Sequence, residues 1–382
     1  NFEKIPILLV SSIPSVETYK NIINKKYRHI KIVKRFEDFP LPKTKIINLN
    51  IDKIKNKFIA NETIKLVKSY LDKDHQVLFF VNRRGFAPYL ICKKCGKKLV
   101  CSNCSLYLTF HKIKNKAICH HCSFEAEIKT KCKKEIYCQF IMYGPGVEKI
   151  SEEVREIFPN KKVSIFSSDY LKKKESAKNL LKEINQKEID ILIGTQMISK
   201  GFNFPNLNCI VVIDADFSGR GYDLRTTEKN IQLYHQLSGR AGRFNSESLI
   251  IYQTLNPDEI ILNELIRNKS EELLKNELQI REKNKLPPFI RLVAIIVSSK
   301  ERSASLQGAR EIKNKLNKIK DLEILGPVDS PLLKIKKNFR SRLLIRFNNR
   351  LLMQKKIINI LNSLKISSKI KLTVDVDPIN FS

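Results

Sequence analysis

The chain has 382 residues, with 71 Lys and Arg against 39 Asp and Glu and a formal net charge of +32. That length exceeds one ordinary domain and suits two or three, with enough hydrophobic residues for packed cores. The apolar runs IPILLV (5–10) and CIVVI (209–213) are too short to span a bilayer, so no membrane-spanning helix is expected.

A charge this large favours a polyanionic partner, although an AT-rich genome also writes Lys, Ile and Asn in excess. The chain begins at Asn1 rather than Met, so the expectation is a fragment or a start further upstream. Nine cysteines without a targeting segment point to a reducing cytoplasm, where Cys-x-x-Cys pairs hold metal more often than disulfides.

Along the chain, strands are predicted at 76–81, 139–144, 162–168, 189–194, 208–216 and 249–254, all rich in Val, Ile and Phe. Helical patterns at 146–158, 176–186 and 226–239 alternate with them, which predicts an α/β domain with a buried parallel sheet. The cysteine block interrupts this alternation as an insertion. One long charged helix is expected over about 257–284, ended by the KLPPFI boundary at 285–290. Beyond it, strand 291–299, helix 301–319, strands near 322–326 and 341–348, helix 350–363 and strand 370–378 predict a small α+β domain.

Eight cysteines fall in that insertion: Cys92, Cys95, Cys101, Cys104, Cys119, Cys122, Cys132 and Cys138. Zn²⁺ takes four thiolates in a tetrahedron, and a Cys-x-x-Cys turn supplies two, so eight predict two sites. Cys101/Cys104 with Cys119/Cys122 has zinc-ribbon spacing. The outer site takes Cys92/Cys95 with Cys132, and either Cys138 or Glu135 completes it. Sites fully ligated by cysteine are structural. His111, His120 and His121 read as surface histidines, and Cys209, inside an apolar strand, as core filling.

Two stretches face phosphate chemistry. Gly194, Thr195, Lys200 and Gly201 lie in a polar turn after a predicted parallel strand, where α/β folds place ligands. In QLSGRAGR (236–243), Gln236, Arg240 and Arg243 recur at i, i+4 and i+7 as a polar stripe. Arginines so placed reach a phosphate bidentately across a cleft.

Together these stretches carry a resemblance. QLSGRAGR resembles motif VI and GTQMISKGFNFP (194–205) motif V of superfamily-2 helicases. With NRRGFAP (82–88), CHHC (119–122), YGPGVEKI (143–150), DAD (214–216), LRTTEKNIQL (224–233), LPPF and DVDP, the chain resembles the replication-restart (primosomal) DNA helicase family from about residue 5 to its end. VSSIPSVET (10–18) resembles motif III, but the family's Gly-Ser-Ala-Thr reads Val10-Ser11-Ser12-Ile13 here. The last cysteine pair also departs, with Glu135 at its second position.

The resemblance implies a RecA-like second helicase lobe at 41–90 and 139–256, preceded by the end of a first lobe at 1–40. A two-zinc insertion at 91–138, a helical linker at 257–287 and a C-terminal domain at 288–382 complete it. It implies an ATP-dependent, 3′-to-5′ helicase of the bacterial cytoplasm that restarts stalled forks through primosome assembly. Its partners would be forked DNA, single-strand/duplex junctions, other primosome proteins and single-strand-binding proteins, with motif VI arginines on the γ-phosphate of ATP. No GxxxxGK[ST] loop or DExH box occurs in the sequence, so ATP and Mg²⁺ require a first lobe that is missing. This chain alone is expected to bind DNA and zinc without hydrolysing ATP. The alternatives are a non-enzymatic zinc-dependent nucleic-acid-binding module and the relic of a decayed gene.

Overall fold

The computed structural model describes residues 5–32, 40–52, 57–81, 89–92, 99–103, 108–111, 115–119, 124–127, 140–144, 146–167, 174–199, 202–216, 225–242, 247–258, 260–267, 270–348, 350–364 and 367–379. The first elements are α1 (Val16–Ile23), β1 (Lys43–Asn48), α2 (Asn61–Leu71), β2 (Gln76–Phe80) and β3 (Tyr89–Cys92). Then follow β4 (Thr109–His111), β5 (Lys116–Ile118), β6 (Glu125–Ala126), β7 (Phe140–Tyr143) and α3 (Val147–Ile157). The sheet resumes with β8 (Val163–Phe166), α4 (Lys174–Asn185), β9 (Ile191–Gly194), β10 (Leu207–Val212), α5 (Thr226–Ser238) and β11 (Leu249–Thr254). The rest is α6 (Ile260–Ile266), α7 (Ser270–Lys283), β12 (Arg291–Ser299), α8 (Arg302–Leu316), β13 (Glu323–Ile335), β14 (Asn338–Phe347), α9 (Arg350–Asn362) and β15 (Ile370–Val376).

Six strands form a parallel sheet in the order β1-β11-β10-β2-β9-β8. Every residue of β2, β9, β10 and β11 is buried, as expected for strands covered on both faces. Alternate side chains feed two cores. Val77, Phe79, Ile191, Ile193, Cys209 and Val211 pack with Val67 of α2 and Val154 of α3. Leu78, Phe80, Leu192, Ile210 and Val212 pack with Leu233 and Leu237 of α5 and Leu262 of α6. Cys209 is core filling, and burial pushes its thiol pKa up.

Three sequence expectations change. The strand predicted at 139–144 forms as β7, but it pairs antiparallel with β3 outside the main sheet. An apolar run marks a strand without saying which sheet it joins. β1 takes an edge of the main sheet beside β11. Its lysines, Lys43 and Lys45, suit an edge and hid it from an apolar count. The single helix expected over 257–284 is two, because Leu262 packs on the sheet while Leu273 and Leu274 pack with Ile13, Val16 and Ile231. One straight helix cannot bury its apolar face in both places.

The C-terminal strands form an antiparallel sheet, β13-β14-β12-β15, with α8 and α9 contributing to its core. The α+β character expected for this region is present. The 322–326 strand is longer than predicted, running to Ile335 and turning through Lys336 and Lys337 at φ 47° and 68°. Two consecutive positive-φ residues match a type I′ hairpin, whose usual Asn-Gly signal is absent.

Buried polar side chains fix the entry to α2. Glu153 accepts from Phe58 N at 3.0 Å and Ile59 N at 2.9 Å. Gln253 accepts from Ala60 N at 2.8 Å and Thr63 Oγ1 at 2.7 Å, and donates to Phe58 O at 2.8 Å. Burial raises the Glu153 carboxyl pKa, and the two backbone N–H groups only partly oppose it. A raised folded-state pKa means stability present at low pH and lost as pH rises through that value. Glu153→Gln is therefore expected to gain stability relative to wild type between roughly pH 4 and pH 7. Urea midpoints across that range check it, and parallel curves would contradict it.

Candidate functional site

The first predicted turn follows β9. Gly194 ends that strand, and a Cβ there would lie 2.9 Å from Ile198 Cδ1 and 3.2 Å from Ile198 Cβ, so glycine lets the chain fold back on itself. Thr195 is buried, its carbonyl accepts from Ile198 N at 2.9 Å, and a 3₁₀ turn spans Gln196–Ser199. Gln196 is exposed. Val81 N donates to Gly194 O at 2.8 Å, so the ends of β2 and β9 share this edge. Lys200 and Gly201 lie outside the described residues.

The second stretch begins on α5. Ile231, Tyr234 and Leu237 are buried, while Gln236 is exposed. The helix ends at Ser238, with Gly239 as its C-cap. The three-residue polar stripe therefore does not run on as one helix. Arg240 N donates to Leu237 O at 2.9 Å, and Gly242, at φ 63°, donates to Leu207 O at 3.1 Å. Nη1 of Arg240 donates to the Phe202 carbonyl. Phe202 belongs to the stretch that begins at Gly194, so the two predicted motifs touch. Phe202 also packs edge-on against Phe166 at 5.0 Å. Arg243 lies outside the described residues.

The DAD stretch acts structurally at its last residue. Asp216 accepts from Leu255 N at 3.0 Å, Asn256 N at 3.2 Å and the Thr254 hydroxyl, fixing the chain after β11.

In the cysteine block, Cys101 and Cys119 are buried in one small cluster with Leu90, Leu108, Phe110 and Ala117. Asn103 N points at Cys101 Sγ at 3.4 Å. An N–H two residues on, aimed at sulfur, fits the knuckle chemistry that zinc uses. Cys92 ends β3. Cys95, Cys104, Cys122, Cys132, Cys138, Glu135, His120 and His121 lie outside the described residues. Among the described residues, no group of three or more His, Cys, Asp or Glu is gathered to hold a metal.

A basic run in the C-terminal domain, Lys334, Lys336, Lys337, Arg340 and Arg342, meets this block. Lys337 N, in the β13–β14 turn, donates to Asn103 O at 2.9 Å. Lys334 Nζ sits 5.0 Å from the Phe339 ring centroid. Arg340 and Arg342 lie two apart on β14, and burial lowers both pKa values, with mutual repulsion adding to it for Arg342. Two adjacent, partly desolvated guanidinium groups suit an anionic partner.

One group of residues carried no role at the sequence level. Arg225 and Glu228, inside LRTTEKNIQL, meet Glu17 of α1 and Arg281 of α7. A signal existed: Arg281 and Glu277 lie on the same α7 stripe as Leu273, Leu274 and Leu278, a helical spacing that buries them.

Comparison with known proteins gives two domain matches. Residues 113–245 match the Helicase conserved C-terminal domain, and residues 282–379 the Primosomal protein N C-terminal domain. The whole chain is 38% identical to the Replication restart protein PriA of Rickettsia conorii and spans 59% of that protein's length. Against the Haemophilus influenzae protein of the same name it is 32% identical over 99% of the chain and 52% of the relative. A structure of RecG bound to a three-way DNA junction overlaps 65% of this chain and 23% of its own, with 13% identity and a TM-score of 0.36. No helix among the described residues is long and apolar enough to cross a membrane.

Proposed function

We propose, taking this chain as a relative of the replication restart proteins PriA that carries a helicase C-terminal domain and a primosomal C-terminal domain, that it works as the carboxyl-terminal part of an ATP-driven DNA helicase at stalled forks. The observation that carries this reading is that the turn after β9 and the arginine stretch after α5 both fall inside the helicase C-terminal domain match at 113–245. Movement of Arg240 on nucleotide binding would be felt by the 194–202 turn, where a strand would be gripped.

In this reading a preceding lobe supplies the phosphate cradle and the Mg²⁺-holding acid, and Arg240, Arg243 and Gln236 face the γ-phosphate across the cleft. Gly194, Thr195, Lys200 and Gly201 couple that event to DNA, moving 3′-to-5′. Two zinc ions hold the cysteine block. Cys101, Cys104, Cys119 and Cys122 ligate one, and Cys92, Cys95 and Cys132 the other with Cys138 or Glu135. The buried Cys101 and Cys119 and the N–H at Cys101 Sγ support the first set. Both ions would be structural, cross-linking short strands that bury little apolar surface of their own. Primosome and single-strand-binding proteins are the protein partners, in the bacterial cytoplasm.

The hairpin of β13 and β14, seated on Asn103, offers Lys334, Lys336, Lys337, Arg340 and Arg342 to DNA. Five phosphate contacts predict that log affinity for forked DNA falls with log salt at a slope of about −4. Replacing Arg340 and Arg342 together by Gln is expected to reduce that slope by about 2. Fluorescence anisotropy of a labelled fork across salt concentrations measures both. An unchanged slope in the double variant would remove the hairpin from the interface, and no fork binding at all would overturn the reading.

A further inference from the structure

Three segments far apart in sequence meet beside the start of α5. Arg281 of α7 is 0% exposed. Its Nε donates to Glu277 Oε1 at 2.9 Å and its Nη2 to Glu228 Oε2 at 3.3 Å. Its Nη1 reaches Glu17 Oε1 and Pro287 O, both at 3.4 Å. Arg225 Nη2 donates to the same Glu17 oxygen at 2.9 Å, and Arg225 Nη1 lies 3.8 Å from Glu228 Oε1. Two backbone contacts tie the same segments: Val16 N donates to Glu228 Oε2 and Gln232 Nε2 to Ile13 O, each at 3.4 Å. Ile13, Val16, Ile231, Leu273 and Leu274 form an apolar layer from these segments. Lys20 Nζ donates to Pro288 O at 3.3 Å, so the cluster also holds the lead into the C-terminal domain.

Buried ion pairs add little net stability, but they are intolerant of misalignment, because a displaced partner leaves a buried charge uncompensated. Packed joints of this kind switch between discrete arrangements rather than bending smoothly. Glu228 lies in the first turn of α5, a helix of 13 residues. At its other end are Gln236 and, two residues past the helix, Arg240, tied to Phe202. The helix is a rigid lever about 20 Å long.

We propose that Glu17, Arg225, Glu228 and Arg281 form a joint that carries the position of segment 13–23 to the QLSGRAGR end of α5. They are then positioning residues for the phosphate-facing arginines. The proposal rests on the helicase reading, in which segment 13–23 leads out of the first lobe. Glu17 is the member contributed by that segment, so changing it uncouples the lever and leaves the pairs of Arg281 with Glu228 and Glu277 in place.

The test uses the full-length protein containing this chain, with ATP turnover measured with and without forked DNA. Glu17→Gln is expected to lower the ratio of DNA-stimulated to basal turnover by about tenfold, at unchanged KM for ATP. A merely structural role would lower both rates together with the melting temperature. Glu17→Asp, which keeps the charge but shortens its reach, is the second variant and is expected to lower the ratio in the same way. A folded variant with the wild-type ratio would overturn the joint alone. Absence of turnover in the wild type would overturn the helicase reading and the joint with it.

Discussion

In the full-length protein, Arg243→Ala is expected to lower DNA-stimulated ATP turnover by about a thousandfold, the lower end of what a phosphate-stabilising arginine supplies in phosphoryl transfer. The charge spread over the γ-phosphate oxygens grows toward the transition state, so losing the cation is felt mainly in kcat. Binding of forked DNA is expected to stay within about twofold of wild type, since one phosphate-facing arginine adds little to a many-contact DNA interface. Steady-state turnover with a fork in excess, beside anisotropy on the same fork, separates the two. A variant that hydrolyses ATP at the wild-type rate would remove QLSGRAGR from the nucleotide site.

Arg281→Met is the largest expected stability effect. It retains bulk but deletes the cation shared by Glu17, Glu228 and Glu277. Glu228 already has a raised carboxyl pKa, first from burial and then from Glu17, with Arg281 and Arg225 opposing. Removing one partner of a buried ion cluster costs about 3–5 kcal/mol. Arg281→Met is therefore expected to be most damaged at neutral pH. It should recover part of the loss as pH falls, when Glu228 takes up a proton and the excess negative charge is relieved. Urea midpoints for wild type and variant at roughly pH 5 and pH 7.5 test the sign. A variant equally stable at both, or more damaged in acid, would contradict it.

Much of the fold was legible because its information is local. Continuous Val, Ile and Phe runs marked β2, β9, β10 and β11 as strands covered on both faces, and all four are buried throughout. What the runs lack is partner information, so β7 was given to the wrong sheet. β1 was passed over because its lysines suit an edge. The β13–β14 hairpin was underestimated because Lys336-Lys337 carries none of the turn chemistry that usually announces a type I′ turn.

The site divides the same way. Gly194 signalled a turn, and the chain turns there, whereas the stripe read in QLSGRAGR is broken by the end of α5 at Ser238. The bond between them, Arg240 to Phe202, spans 38 residues, and no spacing rule predicts it. The joint at Arg281 was invisible for a related reason. A charged residue on an apolar helical stripe shows that it is buried, but its partners on α1 and α5 are set by tertiary packing. In the cysteine block, spacing specified pairs, and the structure describes the side chains of Cys101 and Cys119 among them.

In the proposed function these residues act as one half of a motor, with the nucleotide cradle supplied by a preceding lobe. The most direct test is ATP hydrolysis on forked DNA, run on this chain alone and on the full-length protein. Fork binding is expected from both, and hydrolysis from the full-length protein only. Hydrolysis by this chain alone, or a full-length protein that binds the fork and leaves ATP intact, would contradict it.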